Sequence, residues 1–179
     1  MQELERYIRT VKDFPKPGIG FKDITTLLKE PQAFAQVIDL MAAHYQATPG
    51  GNKKIQKVVG IESRGFIFGA PLALRLSAGY VPARKPKKLP AATVREEYAL
   101  EYGTDALEMH VDAISKGERV IVVDDLLATG GTAAATGRLV EKLGGELLGF
   151  AFLIELDFLN GRKKLEGFEI LSLIHVDSE

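Results

Sequence analysis

Residues 120–123 form an uninterrupted apolar run, Val-Ile-Val-Val, and Asp124 and Asp125 follow it directly. A strand that is apolar at every position is typical of the centre of a parallel sheet, because helices cover both of its faces. We expect the strand to end at residue 123, which places the two carboxylates at the sheet edge. Ligands of such sheets bind beyond the carboxyl ends of the strands. The run therefore predicts both a parallel sheet and the position of its binding site.

Strand-like and helix-like stretches alternate along the chain, at residues 57–61, 68–76, 79–84, 119–123, 131–143, 146–154 and 169–174. Upstream, the pattern predicts a short amphipathic helix at residues 4–11, an irregular loop at residues 14–21 and a second helix at residues 31–45. The alternation predicts an α/β fold, a parallel twisted sheet flanked by helices. For residues 167–179 the sequence predicts only an edge strand.

The composition narrows the class of protein. A chain of 179 residues with 46% hydrophobic residues fills one core. The 23 Lys and Arg nearly balance the 24 Asp and Glu, which argues against a nucleic-acid partner. Cysteine is absent and the three histidines lack metal-ligand spacing, so any metal should arrive with the substrate. No apolar run reaches the roughly 20 residues that cross a bilayer and the N-terminus is polar, so we expect a cytoplasmic enzyme without a membrane partner.

The nine residues from 124 to 132 join the predicted strand to a helix that begins near Gly131. The first amides of a helix have no partner within the helix and lie at the positive end of its dipole, which favours an anion. Gly130 and Gly131 allow the backbone to close around a phosphate, and the hydroxyls of Thr129 and Thr132 add donors. The segment therefore predicts a phosphate site.

Asp124 and Asp125 repel each other and lose hydration unless they find a partner. A sugar diol offers two hydroxyl donors, and a hydrated magnesium ion is a second possible partner. The alternative is an ordinary Gly-Gly turn with solvated aspartates, which the order of all nine residues disfavours. The segment lacks the patterns of nucleoside-triphosphate and dinucleotide loops. We therefore expect a phosphorylated sugar as the ligand.

This segment resembles the phosphoribosyl pyrophosphate signature of the type I phosphoribosyltransferases. The resemblance implies the type I phosphoribosyltransferase fold, with Asp124 and Asp125 on the ribose hydroxyls. It also implies that the 5′-phosphate is held by five loop residues, Ala128, Thr129, Gly130, Gly131 and Thr132.

Residues 13–19, 63–69, 84–85, 88–90 and 100–103 are similar to the adenine phosphoribosyltransferase branch of that family. The resemblance implies transfer of the 5-phosphoribosyl group from 5-phosphoribosyl 1-pyrophosphate to adenine, giving AMP and pyrophosphate. It also implies a homodimer, with Mg²⁺ bound mainly through the pyrophosphate of the substrate. The N-terminal hood would be residues 1–32, and the core, residues 33–179, would carry a mobile lid near residues 91–104.

The same resemblance assigns roles to single residues. Arg64 would bind pyrophosphate and act in catalysis, and the peptide between Glu62 and Ser63 would be cis. Glu101 would accept a proton near adenine N7 or N9, and Tyr102 would position the lid. Pyrophosphate would be clamped, in part from the neighbouring subunit, by Arg84, Lys85 and Lys88, whereas Lys87 lies where many relatives have Gly. The adenine side would be formed by Gly20, Phe21, Lys22 and Leu126.

Two other functions remain open at this point. A transferase for hypoxanthine, guanine or xanthine would need a donor for the 6-oxo group, and Lys22 replaces the Arg common in the family. A regulator that only senses the sugar pyrophosphate would need a basic face or a recognition helix, and the sequence has neither. We therefore expect the adenine enzyme.

Overall fold

The computed structural model describes residues 2–47, 54–99 and 103–178. In chain order the helices and strands are α1 (Gln2–Glu5), β1 (Arg9–Val11), β2 (Phe21–Asp23), α2 (Thr25–Leu28), α3 (Pro31–Ala47), β3 (Lys57–Ile61), α4 (Gly65–Leu76), β4 (Gly79–Ala83), β5 (Thr93–Ala99), β6 (Thr104–His110), β7 (Arg119–Leu127), α5 (Gly131–Lys142), β8 (Glu146–Leu156) and β9 (Glu169–Val176). Two 3₁₀ turns, Asp157–Leu159 and Gly161–Leu165, connect β8 to β9.

Five parallel strands form the central sheet in the order β4, β3, β7, β8, β9. The prediction that the central strand ends at residue 123 was wrong, because β7 continues to Leu127. The reason is its pairing with β8, which brings Asp124 opposite Phe152 and Leu126 opposite Ile154. The two aspartates thus belong to the last part of the strand.

The apolar run in β7 is covered on both faces, as predicted. Ile121 and Val123 belong to one core, which they share with α3 and α4. Val120 and Val122 belong to a second core, formed with α5 and the β5–β6 hairpin. The α/β fold with a parallel sheet and flanking helices is therefore confirmed. Within the described ranges, every helix is too short or too polar to span a membrane.

The N-terminal segment differs from its prediction. The helix expected at residues 4–11 ends at Glu5, and β1 pairs antiparallel with β2. Thr10 and Val11 are β-branched, which favours the strand once a partner strand is available. Leu4 and Leu27 are buried in the same core as α3 and α4, while the hood boundary at residue 32 stays a prediction.

The predicted lid, residues 91–104, consists largely of strand. Strand β5 pairs antiparallel with β6, so that Tyr98 lies opposite Asp105. This hairpin packs on α5 through the second core. Of the lid motif, residues 100–102 lie outside the described residues.

Candidate functional site

A cavity of about 190 Å³ opens at the carboxyl end of β7. Its lining includes most residues that the sequence assigned to ribose and phosphate, together with the proposed base contact Leu126. The lining residues are Arg64, Asp124, Asp125, Leu126, Leu127, Ala128, Thr129, Gly130, Gly131, Thr132 and Ala133. The structure therefore leaves room for a ligand where the sequence predicts one.

The loop at the start of α5 exposes backbone donors. Gly130 precedes the helix with a φ of 76°, and no side chain of the described residues caps this end. The Ala134 amide donates to the Gly130 carbonyl at 3.0 Å, which is the first bond of the helical pattern. The amides of residues 131–133 precede that bond, so they lie at the positive end of the helix dipole without a helical partner. This geometry suits a phosphate.

The two aspartates are held in a poorly solvated position. Asp125 is 3% exposed and Asp124 is partly buried. Burial, and then the charge of Asp125, raises the pKa of Asp124 well above its ordinary value. Burial also raises the pKa of Asp125, although the charge of Arg64 opposes that rise. The pair is therefore poised to gain from hydroxyl donors or a cation.

Arg64 connects the ribose side of the cavity to the hood. It immediately precedes α4, and its Nε lies 3.1 Å from Asp125 Oδ2. Its guanidinium carbon also lies 5.5 Å from the centre of the Phe21 ring. The close approach depends on Gly65, because a β-carbon there would lie 2.7 Å from the Val123 carbonyl oxygen. Arg64 therefore contacts both an acid and an aromatic ring that the sequence assigned to the substrate.

Three of the four adenine-side residues, Gly20, Phe21 and Lys22, lie outside the lining of this cavity, whereas Leu126 belongs to it. Phe21 is partly buried, and its ring packs edge-on against Phe14 with centroids 5.2 Å apart. Lys22 Nζ donates to Thr10 Oγ1 at 3.1 Å, so the side chain is engaged within the β1–β2 ladder. Gly20 directly precedes β2. Their roles in binding the base stay predictions.

Two of the basic residues predicted to clamp pyrophosphate, Arg84 and Lys85, form ion pairs with carboxylates of the protein. Arg84 Nη2 lies 3.2 Å from Glu62 Oε1, and Lys85 forms an ion pair with Asp105. Burial lowers the pKa of Lys85, but its hydrogen bonds to Asp105 and Tyr98 outweigh that effect and the pKa rises. Lys88 is exposed. None of the three lines the cavity, so the pyrophosphate clamp stays a prediction.

Two further predictions concern the chain near these groups. The peptide between Glu62 and Ser63 is cis, as the family resemblance implied. Glu101 and Tyr102, the proposed proton acceptor and lid residue, lie outside the described residues. Gly103 directly precedes β6 and has a φ of 90°.

A second polar cluster was missed by the sequence reading. His175 Nδ1 lies 3.0 Å from Asp157 Oδ1 and close to Glu155, although residue spacing gave no sign of this group. Glu155 is already engaged by Arg162 at 2.6 Å and by Ser172 Oγ at 2.6 Å. The guanidinium neutralises the carboxylate that a metal would need, so the cluster serves to anchor the turn after β8.

The turn Gly161–Leu165 was also missed, and it packs directly on the phosphate loop. A β-carbon at Gly130 would lie 2.3 Å from the Gly161 carbonyl oxygen, and one at Gly161 would lie 2.1 Å from the Ala128 carbonyl oxygen. The two backbones therefore touch without room for a side chain. The signal in the sequence was the Asn-Gly-Arg-Lys-Lys run at residues 160–164, which joins a turn dipeptide to three cations.

Comparisons with known proteins show which family the chain resembles over nearly its full length. Residues 23–170 match the family model described as phosphoribosyl transferase domain. The adenine phosphoribosyltransferase of Koribacter versatilis is 58% identical over 97% of this chain and 93% of the relative. The crystal structure of the Thermoanaerobacter pseudethanolicus adenine phosphoribosyltransferase has a TM-score of 0.91 at 53% identity, over 98% of this chain and 99% of that one. The Saccharomyces cerevisiae enzyme, complexed with an imino-altritol bisphosphate and adenine, has a TM-score of 0.92 at 44% identity, over 96% and 97%.

Proposed function

Because the chain belongs to the adenine phosphoribosyltransferases, a branch of the phosphoribosyltransferase family, we propose how its own residues carry the reaction. The chain transfers the 5-phosphoribosyl group from 5-phosphoribosyl 1-pyrophosphate to adenine and releases AMP and pyrophosphate. The observation that carries the proposal is the cavity that unites the Gly130–Gly131 loop with Asp124 and Asp125. Neutral backbone donors face one part of it, and acceptors for a diol face another.

The ribose is held at both ends in this proposal. The amides and hydroxyls of residues 128–132 bind the 5′-phosphate, and Asp124 and Asp125 accept hydrogen bonds from the two ribose hydroxyls. The burial that raises the pKa of each carboxyl supports this arrangement, because poorly solvated carboxyl oxygens gain from bound hydroxyl donors. Both contacts fix the anomeric carbon relative to the incoming base.

The chemical step exchanges one bond at the anomeric carbon for another. The bond from C1′ to the pyrophosphate oxygen breaks, the bond from C1′ to adenine N9 forms, and the N9 proton leaves to Glu101 or water. Arg64, which reaches the cavity, stabilises charge on the departing pyrophosphate, with Arg84, Lys85 and Lys88 as further candidates. Phe21 and Leu126 pack on the two faces of adenine. Closure of the lid near residues 91–104, with Tyr102 in place, excludes water.

Magnesium fits the oxygen-rich side of this cavity. Asp124 and Asp125 are hard oxygen donors of the kind that Mg²⁺ prefers, and the ion would be held mainly by the pyrophosphate of the substrate. When bound, it neutralises negative charge on the leaving group. The carboxylates would face the hydrated ion or the ribose hydroxyls, so their position is compatible with either partner.

We also propose an oligomeric state and a cellular location for the enzyme. We infer a homodimer, which is supported by the apolar side chains Ile67 and Leu74 on the outer face of α4, 37% and 82% exposed. A cytoplasmic location is proposed because the phosphorylated substrates do not cross bilayers unaided. The balanced charge of the chain supports a protein that works without a nucleic-acid partner.

One assay tests the function directly. Purified protein is mixed with Mg²⁺, 5-phosphoribosyl 1-pyrophosphate and one base, and AMP, IMP and GMP formation are compared. We expect AMP from adenine and at least about 100-fold less product from hypoxanthine or guanine, because a site that pairs with the adenine amine leaves buried groups unpaired against a 6-oxo group. Faster IMP or GMP formation would reject adenine as the base.

A further inference from the structure

The turn Gly161–Leu165 forms an outer wall of the phosphate loop. Its first residue, Gly161, touches the loop through the backbone of Ala128 and Gly130, with no space for a β-carbon on either side. Close packing of two main chains leaves the loop little freedom to change its conformation. The turn is therefore part of the structure that determines where the loop amides point.

Three consecutive cations on this turn have different surroundings. Arg162 is held by Glu155, with Nη2 2.6 Å from Oε2. Lys163 faces a separate cavity that Glu155 and His175 also line. Lys164 points the other way, since its Nζ lies 4.0 Å from the position that a β-carbon would take on Gly131. No carboxylate among the described residues forms an ion pair with Lys164, so its ammonium is available beside the first turn of α5.

The loop itself supplies only neutral donors to an anion. Residues 128–132 offer amides and hydroxyls, and Arg64, the cation that lines the cavity, is paired with Asp125 at 3.1 Å. A phosphate monoester carries between one and two negative charges near neutral pH. A lysine ammonium next to the helix start would supply the missing countercharge, because a charge-assisted hydrogen bond is about twice as strong as a neutral one.

We propose that Lys164 is a ligand of the substrate's 5′-phosphate, and that Gly161 is a positioning residue that sets the loop through its contact with Gly130. This inference rests on the proposed function and adds a phosphate ligand from outside the loop. Lys164 is exposed, so its side chain can move the short distance onto the phosphate when the substrate binds. The neighbouring cations stay on the far side of the turn.

The test compares Lys164→Ala with Lys163→Ala, which removes the same charge from the adjacent residue. Calorimetric titration with ribose 5-phosphate and kinetic titration with 5-phosphoribosyl 1-pyrophosphate report on the sugar-phosphate end. Product inhibition by pyrophosphate reports on the other end. We expect Lys164→Ala to raise the ribose 5-phosphate Kd and the substrate KM together, by about tenfold, because a hydrogen bond to a charged group is lost. The KM for adenine, the pyrophosphate inhibition and the Tm should stay within about twofold or a few degrees of wild type.

Other outcomes would overturn the inference. Lys164 is not a phosphate ligand if the two variants weaken ribose 5-phosphate equally, if neither weakens it, or if Lys164→Ala weakens pyrophosphate instead. Lys164→Arg should keep binding within about threefold, since it retains a cation at the same place. The calorimetric measurement needs no turnover, so a wild-type protein that makes no AMP would reject the proposed function while leaving the Lys164 result interpretable.

Discussion

At residue 130 the backbone has two requirements that only glycine meets. Its φ of 76° lies in the left-handed region, and a β-carbon would lie 2.3 Å from the Gly161 carbonyl oxygen. The first requirement alone costs an alanine about 1 kcal/mol. The second forces the loop or the turn to move, which displaces the amides that face the phosphate. The first requirement therefore concerns the stability of the protein, and the second concerns the position of the amides that bind phosphate.

Gly130→Ala should lower kcat/KM for 5-phosphoribosyl 1-pyrophosphate by at least about 100-fold, because the loop must shift by a large fraction of an ångström or more. Gly117→Ala is the matched control, since Gly117 has a φ of 79° but nothing within 4 Å of the added carbon. The control should lose about 1 kcal/mol of stability and keep wild-type kinetics. Steady-state kinetics and thermal unfolding on both variants measure the difference. Equal kinetic defects would contradict a steric role for the contact with Gly161.

Replacing an aspartate of the pair should change activity and stability in opposite directions. Asp124→Asn should reduce AMP synthesis by about 100-fold, through loss of a charged acceptor for the ribose. The same change should raise the Tm of the ligand-free protein at pH 8 by about 2–4 °C, which corresponds to about 1 kcal/mol in a chain of this size.

The pH dependence of that stability follows from the raised pKa of Asp124. Above the folded-state pKa the carboxyl is ionised in both the folded and the unfolded chain, so the unfavourable burial of charge is fully present. As the pH falls through the folded-state pKa, the folded protein binds a proton before the unfolded chain does, and wild type gains stability. The Tm advantage of Asp124→Asn should therefore shrink toward pH 4. An advantage that grows on acidification would show that the pKa of Asp124 is not raised.

Site residues within the loop were predicted from the sequence, whereas those that reach the loop from elsewhere in the chain were not. The loop residues and Arg64 were predicted and line one cavity, because the motif keeps them on adjacent strand ends. Lys87 has a φ of 65°, a left-handed conformation that favours glycine. Lys164 and Gly161 were missed because they are about 30 residues beyond the loop in the chain. Their contact depends on how β8 and the following turn return to α5.

Among the secondary-structure elements, buried ones were predicted better than half-exposed ones. The run at residues 120–123 and the helix from residue 31 carry strong apolar patterns, and both elements begin within one residue of their predicted starts. Strand β5 was missed because Tyr98 is its one buried residue and the strand includes Arg95, Glu96 and Glu97. The end of β7 was misplaced because pairing with β8, which the local sequence does not encode, continues through the aspartates.

The β5–β6 hairpin is fastened to α5 by Glu96. Arg138 Nε lies 2.5 Å from Glu96 Oε1, and Lys142 pairs with the other oxygen. Glu96→Gln should speed hydrogen exchange in Thr93–Ala99 by about two- to fivefold, as expected for the loss of ion pairs whose cations are about half exposed. Glu97→Gln is the control, since the ion pair of Glu97 among the described residues is with Arg95 of its own strand. Exchange that is unchanged in Glu96→Gln would show that apolar packing alone holds the hairpin.

At the scale of the whole molecule, the two cores and the sheet leave α4 with an apolar outer face. Leu74 is 82% exposed and lies two turns from Ile67. A second copy of the chain would bury both side chains, and the family resemblance implies that a neighbouring subunit contributes basic residues to each site.

Leu74→Glu should convert a dimer to a monomer at micromolar concentration, because a charge would have to be buried in the interface. Val111→Glu, at a residue that is 49% exposed on the hairpin side, should leave the mass unchanged. Light scattering coupled to size exclusion measures both. A dimeric Leu74→Glu protein would place the interface elsewhere.

A crystal structure of the chain with bound ribose 5-phosphate would show whether the loop at the start of α5 holds the sugar phosphate. We expect the phosphate within hydrogen-bond distance of the amides of residues 129–132, with the ribose hydroxyls on Asp124 and Asp125. A sugar phosphate bound away from that loop, or turned so that its hydroxyls face α5, would rule out this binding site.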